Sequence, residues 1–207
     1  FHWKNNFYKD FDEFLGNLKR KRRKEIIRER KQIQQQMIKV EVLEGEAILV
    51  EHINYMYEFY LSTSEKKWGH PYLSKDFFSR IHQTMCNNLV LFLAYVDGDC
   101  VAGTINFKNG KCLYGRYWGC KGNFRSLHFE LCYYQPIEYA IRKGISLFEA
   151  GAQGEHKIQR GFLPELTYSA HWLEHPGFRS SISKFLEEEK AAIDQGIEEF
   201  TPHSPYR

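Results

Sequence analysis

The sequence predicts a mixed α+β fold in which an antiparallel three-stranded meander is flanked by helices. Residues 89–96, 100–107 and 113–120 form apolar runs of strand length. Asp97-Gly98 and Asn109-Gly110 separate these runs, and both dipeptides favour tight hairpin turns. Because the stretches on either side have apolar residues at helical spacing, we expect helices before and after the meander.

The elements before the meander are predicted from caps and periodicity. Asp10 and Glu13 are spaced as a capping box. The apolar stripe that begins at Phe11 predicts one helix to about Met37, with Gly16 as its weak point. A strand over 40–43 and helices over 46–63 and 74–85 complete this part of the chain.

After the meander, a long helix over 127–143 ends at Gly144. The remaining predicted elements are a strand over 145–150, a short helix over about 155–162, a strand over 167–173 and a closing helix over 178–200. His171 and Trp172 on the late strand are predicted core residues. We expect one structural unit, in which a basic helical segment over 1–38 packs on a domain over 39–207.

The composition excludes several classes of protein. Hydrophobic residues make up 43% and charged residues 27% of the chain, which excludes wholesale disorder. No run approaches 18 apolar residues, so no membrane span is expected. The five cysteines are odd in number and none forms a CxxC pair, which argues against a disulfide framework or a zinc site. Reduced thiols indicate a cytoplasmic protein, and the start at Phe1 suggests a piece of a longer chain.

One segment is strongly basic. Residues 19–31 contain nine bases and two acids, a net charge of +7, whereas the rest of the chain has 20 bases and 24 acids, a net charge of −4. We expect this helix to bind an anionic partner through Arg20, Arg22 and Arg23: the phosphate of a nucleotide-linked acceptor, a tRNA or an anionic lipid. The alternative is a solvated helix face that pairs with the acidic C-terminal helix.

Two segments around the long helix hold candidate site residues. His128 and Glu130 lie near its start, where an imidazole or carboxylate can act as a general base, and Tyr133 follows at helical spacing. The alternative is a buried structural network. A His-x-Glu metal site lacks a convincing third ligand. On the last meander strand, Arg116, Tyr117 and Trp118 form either a groove wall or ordinary sheet packing.

A glycine loop follows the predicted strand over 145–150. Gly151 and Gly154 permit positive φ and a close approach of the main chain to a ligand. Glu155, His156 and Lys157 come directly after them. The loop lacks the Lys-Ser/Thr ending of a P-loop, so a nucleotidase is excluded, and a tight turn with surface charges is the alternative.

The chain resembles the FemAB-like family of predicted bacterial N-acyltransferases from Phe1 to Arg207. The matching segments are KRKRRKEIIRERKQ, SEKKWGHPYL, YGRYWGC, LHFELCYYQPIEYAI and FEAGAQGEHKIQRGFLPELTYSAHW. The element order is also similar to the GNAT acyltransferase fold. The resemblance implies transfer of an acyl or aminoacyl group to an amine, in the Fem case from aminoacyl-tRNA to a cell-wall precursor. Members of the family look longer, with a further N-terminal region.

The resemblance also implies a mechanism. The acceptor amine loses its proton to Glu130 or His128 and attacks the donor carbonyl, while Lys157 and backbone N–H groups hold the oxyanion. His156 and Glu155 lie in the same glycine-loop segment.

The chain departs from CoA-dependent GNAT enzymes at the start of the central helix. Where these enzymes have Gln/Arg-x-x-Gly-x-Gly/Ala, residues 121–126 read KGNFRS. The donor is therefore either acyl-CoA or aminoacyl-tRNA. The rival hypothesis is a non-catalytic domain that binds an anionic cell-wall precursor or RNA through the basic helix. An enzyme needs a deep pocket where 114–119, 128–130 and 151–157 converge.

Overall fold

The architecture comes from a computed structural model, which describes residues 1–66 and 70–207. Part of the segment SEKKWGHPYL, residues 67–69, lies outside the described residues. The described chain forms one six-stranded sheet with the order β1-β6-β5-β4-β3-β2. The strands are β1 His2–Lys4, β2 Lys39–Glu44, β3 Leu89–Val96, β4 Asp99–Asn109, β5 Cys112–Cys120 and β6 Leu147–Glu149.

Helices lie on both faces of this sheet. They are α1 Phe11–Gly16, α2 Arg20–Gln35, α3 Val50–Lys66, α4 Lys75–Met85, α5 Leu127–Phe129, α6 Gln135–Arg142 and α7 Pro176–Phe200. A π-helical turn, Glu130–Tyr134, joins α5 to α6, and a 3₁₀ turn, Glu155–Arg160, follows β6. The strands pair antiparallel except for β5 and β6, which are parallel. The predicted mixed α+β fold with its antiparallel meander is therefore confirmed.

Two hydrophobic cores cover the two faces of the sheet. Val90 and Phe92 of β3 belong to the core beneath α1, α2 and α6, while Leu91 and Leu93 belong to the core beneath α3 and α4. Because β3 is buried on both faces, its sequence is a continuous apolar run instead of an alternating one. Trp3 lies in the first core, so the segment 1–38 packs into the same core as the rest of the domain.

Helix α3 lies unusually close to the sheet. A Cβ atom added at Gly119 of β5 would stand 2.1 Å from the carbonyl oxygen of Phe59 in α3. That oxygen belongs to the helix backbone and cannot turn aside as a side chain can. The position therefore requires glycine, and it sets the distance between α3 and the strand that forms one wall of the site described below.

Two predicted elements and one predicted pair of core residues differ from the structure. The single helix predicted up to Met37 is broken into α1 and α2, because Leu18 leaves the helix to pair with Tyr206. The predicted strand over 167–173 is wrong: those residues form no strand, since β1 occupies the place beside β6. The prediction that His171 and Trp172 are core residues is also wrong, because both are exposed, Trp172 at 77%.

The structure adds three further observations. The closing helix α7 is present, but none of its described residues is buried. No helix in the described ranges is long and apolar enough to cross a membrane. All five cysteines are free thiols.

The close approach at Gly119 predicts a large loss of stability for Gly119→Ala. The added methyl group meets main-chain atoms of Phe59, so α3 must shift, and we expect the free energy of unfolding to fall by about 3 kcal/mol. Urea denaturation measures this loss. Gly16→Ala is the control, since no atom lies within 4 Å of its added Cβ. Equal stability of Gly119→Ala and the parent chain would contradict the packing described here.

Candidate active site

Three segments of the chain meet around a cleft of about 920 Å³. One wall comes from β5, the second from α5 and the π turn, and the third from the loop between β6 and the 3₁₀ turn. The residues that line it are Tyr60, Thr63, Tyr72, Thr104, Asn106, Gly115, Arg116, Tyr117, Trp118, His128, Cys132, Tyr133, Ala150, Gly151, Ala152, Gln153, Gly154, His156 and Lys157. The cleft therefore brings together residues from the three segments 114–119, 128–130 and 151–157, as expected for an enzyme.

A β-bulge shapes the β5 wall. Ile105 of β4 pairs with Tyr117 and Asn106 pairs with Gly115, which leaves Arg116 without a partner in the ladder. The Arg116 side chain is exposed, and its guanidinium lies 5.0 Å from the centre of the Tyr117 ring. No salt bridge joins Arg116 to a carboxylate in the described part of the chain. The bulge therefore presents a cation to the cleft.

The helix wall carries His128, Cys132 and Tyr133. The His128 ring meets Trp118 of β5 edge to face, with 5.3 Å between ring centres. Burial raises the pKa of the Cys132 thiol and of the Tyr133 phenol, so both keep their protons at neutral pH. A protonated thiol is a poor nucleophile, whereas a protonated phenol can donate a hydrogen bond into the cleft.

The loop wall is held by Lys157. Gly151 and Gly154 adopt φ of 82° and 99°, as their predicted conformational freedom allows. The Lys157 ammonium donates to the carbonyl oxygens of Ala150 at 2.6 Å, of Gly151 at 3.1 Å and of Gln153. An ammonium has three protons, so all of them are used within the loop. This geometry favours a loop-organising role for Lys157 over direct contact with an oxyanion.

His156 meets Tyr133 across the floor of the cleft. Its Nε2 atom lies 2.9 Å from the Tyr133 hydroxyl oxygen. Burial lowers the pKa of His156, and the cations of Arg160 and Lys157 lower it further. The imidazole is therefore neutral at pH 7. In the tautomer with the ring proton on Nε2, the imidazole donates to the Tyr133 oxygen, which leaves Nδ1 free to accept a proton and the phenol proton free to donate to another group.

A buried ion pair lies directly behind this contact. Arg160 donates to both carboxylate oxygens of Glu29 in α2, at 2.9 and 3.2 Å, and Tyr134 donates to the same carboxylate. Both partners of the ion pair are buried. Glu29 was not among the predicted site residues, although it lies on the buried stripe of α2 between Ile26 and Ile33, where an acid requires a partner.

The two candidate acids lie outside the cleft lining. Glu130 is 3% exposed and binds Arg30 at 3.1 Å and Gln135 at 2.8 Å, in a buried network instead of the cleft. Glu130 begins the π turn, where the residue spacing departs from that of an α-helix, so the i, i+3 spacing predicted for Glu130 and Tyr133 does not apply. Glu155 is exposed and does not line the cleft. No Asp or Glu is among the cleft-lining residues that the structure describes.

The basic helix α2 also lies outside the cleft lining. Arg20 is exposed, Arg23 is half-buried, and Arg22 pairs with Glu25 at 3.1 Å. Within residues 1–66 and 70–207, no ion pair links α2 to α7, so the predicted alternative of pairing with the acidic C-terminal helix is absent there. The solvent side of α2 presents a stripe of bases: Arg20, Lys24, Arg28 and Lys31.

The contacts of Lys157 predict a local change in Lys157→Met. The three loop carbonyls lose their shared donor, so we expect faster amide hydrogen exchange across residues 150–154. Lys157→Arg should restore part of the protection. Lys108→Met serves as control, because Lys108 pairs with Glu44 away from the cleft. Unchanged exchange in Lys157→Met would show that the ammonium does not hold the loop.

Known proteins with a similar fold are distant in sequence. A FemX crystal structure has a TM-score of 0.56 and 13% identity, covering 86% of this chain and 56% of its own. L-PGS from Bacillus licheniformis has a TM-score of 0.51 and 11% identity, covering 72% of this chain and 45% of its own. This chain thus spans about half the length of both. No protein of curated function matches the sequence.

The sequence as a whole matches one family model. The FemAB-like model, described as peptidoglycan biosynthesis/recognition, covers residues 1–207. Its span includes the cleft and the basic helix alike. The chain therefore belongs to the FemAB-like family.

Proposed function

We propose that this chain is an N-acyltransferase domain that transfers an aminoacyl group from aminoacyl-tRNA to an amine of an anionic cell-wall precursor in the cytoplasm. One observation supports catalysis above all: His128, His156 and Tyr133 line one cleft together with the glycine loop and the β5 bulge. Family membership supports a transferase of peptidoglycan metabolism. A domain that only binds through α2 would not need this cleft.

His156 is the proposed general base. An amine nucleophile must lose a proton as it attacks, and a neutral imidazole can accept that proton. The lowered pKa of His156 keeps the imidazole neutral at pH 7. His128 lies 6.0 Å from His156 between ring centres and is a second imidazole within the same cleft. Glu130 has no part in the proposed reaction because it does not line the cleft.

Tyr133 is the proposed hydrogen-bond donor to the developing oxyanion. Its phenol keeps its proton and faces the cleft beside His156. The new C–N bond forms as the amine attacks the ester carbonyl, and the C–O bond to the donor then breaks. His156 returns the amine proton to the leaving oxygen, so that atoms and charges balance without an enzyme nucleophile.

The charge of the cleft supports an anionic acceptor. The residues that line it include Arg116 and Lys157, whereas no carboxylate is among the described lining residues. Because the three protons of Lys157 are engaged, Arg116 is the cation placed to bind a ligand. A guanidinium matches a carboxylate or phosphate group in a planar, two-bond contact.

The start of the central helix favours aminoacyl-tRNA over acyl-CoA. The side chain of Gln36, the C-cap residue of α2, donates to the carbonyl oxygen of Arg125 and accepts from its amide, and Gln32 accepts from Ser126 at 2.8 Å. These contacts occupy the loop where CoA-dependent GNAT enzymes hold a pyrophosphate. The exposed base stripe of α2 offers instead a surface for an RNA backbone.

The proposed mechanism predicts that His156→Ala loses turnover roughly 10²–10⁴-fold, the contribution of a general base. Tyr133→Phe should lose roughly 10²–10³-fold, since one oxyanion donor is removed. Single-turnover transfer from aminoacyl-tRNA to a cell-wall precursor measures both. Glu130→Gln is the isosteric control and should keep turnover within about threefold, as expected for a residue outside the cleft. If Glu130→Gln lost turnover while His156→Ala kept full turnover, Glu130 and not His156 would be the general base.

The base stripe predicts salt-dependent binding of tRNA. Lys24→Glu combined with Arg28→Glu should weaken binding steeply, because two attractive contacts become repulsive. The matched control is Lys184→Glu with Lys190→Glu, which makes the same charge change on α7. Filter binding at 50 and 200 mM salt gives the comparison. If the affinity for tRNA did not change between the two salt concentrations, or were equal in the two double variants, α2 would not be part of the tRNA-binding site.

A further inference from the structure

The guanidinium of Arg160 joins three elements behind the cleft without lining it. Arg160 is the last residue of the 3₁₀ turn and is 4% exposed. Its Nη1 donates to the carbonyl oxygen of His156 at 2.8 Å, and its Nη2 donates to Glu29 of α2. Its Cζ lies 3.4 Å from the centre of the Phe129 ring in α5. A single side chain therefore ties the basic helix and the central helix to the main chain of His156.

We propose that Glu29 and Arg160 form a positioning pair, which fixes the His156 main chain so that the imidazole meets Tyr133 in the cleft. The inference rests on the proposed function, in which His156 is the base. Neither residue of the pair touches the cleft, so both act through His156. Glu29, one of the two acids within the basic run of α2, thereby gains a role that the charge pattern alone did not explain.

Two consecutive tyrosines of the π turn support the same arrangement. Tyr133 contacts the His156 imidazole on the cleft side, and Tyr134 donates to the Glu29 carboxylate on the buried side. The 3₁₀ turn is consequently held at His156 by Tyr133 and at Arg160 by Glu29. Since Glu29 accepts from both Arg160 and Tyr134, its buried charge is compensated. A shift of one contact would disturb the others.

The Glu29–Arg160 pair also affects the electrostatic environment of the His156 imidazole. The charged neighbours on its own turn are Glu155, Lys157 and Arg160, while Arg116 of β5 lines the same cleft. The central helix contributes His128 and the protonated Tyr133. Glu29 balances the cation nearest to the His156 main chain. Removing the Glu29 charge leaves Arg160 uncompensated, whereas removing both charges takes away the cation that opposes protonation of the imidazole.

The test is an NMR titration of the His156 Cε1 proton in the full chain, assigned with His156→Gln. In Glu29→Gln the titration midpoint should move to lower pH, with a loss in proton affinity of roughly tenfold, as expected for one uncompensated charge at short range. Glu138→Gln is the matched control. It removes a carboxylate from a different ion pair of α2, Arg30–Glu138 at 2.7 Å, and should leave the midpoint unchanged.

A second variant keeps the test decisive if Glu29→Gln does not fold. Glu29→Met with Arg160→Met removes both charges at similar volume, a change that buried ion pairs often tolerate. The midpoint should then move to higher pH, opposite to Glu29→Gln, and exchange of the amides of 155–157 should accelerate. A midpoint that stays in place in a folded variant of either kind overturns the proposal. The titration needs no substrate, so a failure to detect transfer would refute the proposed function without deciding this inference.

Discussion

The buried ion pair between Glu29 and Arg160 is the interaction on which the candidate site depends. Both residues are almost fully removed from water, so each charge requires the other. The pair connects α2 to the 3₁₀ turn across 131 residues of sequence. Through the carbonyl of His156 and the ring of Phe129 it also reaches the cleft wall. The basic helix is thus a structural support of the site as well as a charged surface.

Two local irregularities then open the cleft. The bulge in β5 leaves Arg116 outside the ladder, and the π turn separates Glu130 from Tyr133. A regular strand would pair Arg116 into the sheet, and a regular helix would bring Glu130 and Tyr133 onto one face. β-Bulges and π turns occur frequently at functional sites, because each changes the direction in which a side chain points. Here they leave a cleft with phenol, imidazole and guanidinium groups.

The chemistry of this cleft separates the two hypotheses raised by the sequence. A binding module needs only the exposed stripe of α2, which lies outside the cleft lining. The described structure holds that stripe and also a cleft with a neutral imidazole and a protonated phenol 2.9 Å apart. Groups with these protonation states can move a proton without a metal ligand or a thiolate. The arrangement therefore supports the proposed function over the binding module.

Local sequence determined the elements and the segments that meet at the site. Turn dipeptides predicted the meander, and apolar periodicity predicted most of the helices. The segments that resemble the FemAB-like family identified the family from the sequence alone. The residues His128, Tyr133, Gly151 and His156 were predicted because their types and spacing are local properties. Only tertiary structure decided which of the candidates share a cleft. The displacement of Glu130, the engagement of all three Lys157 protons and the Glu29–Arg160 pair depend on groups far apart in sequence. The prediction of a strand over 167–173 is wrong for the same reason, because the place beside β6 is taken by β1, which is far away in sequence.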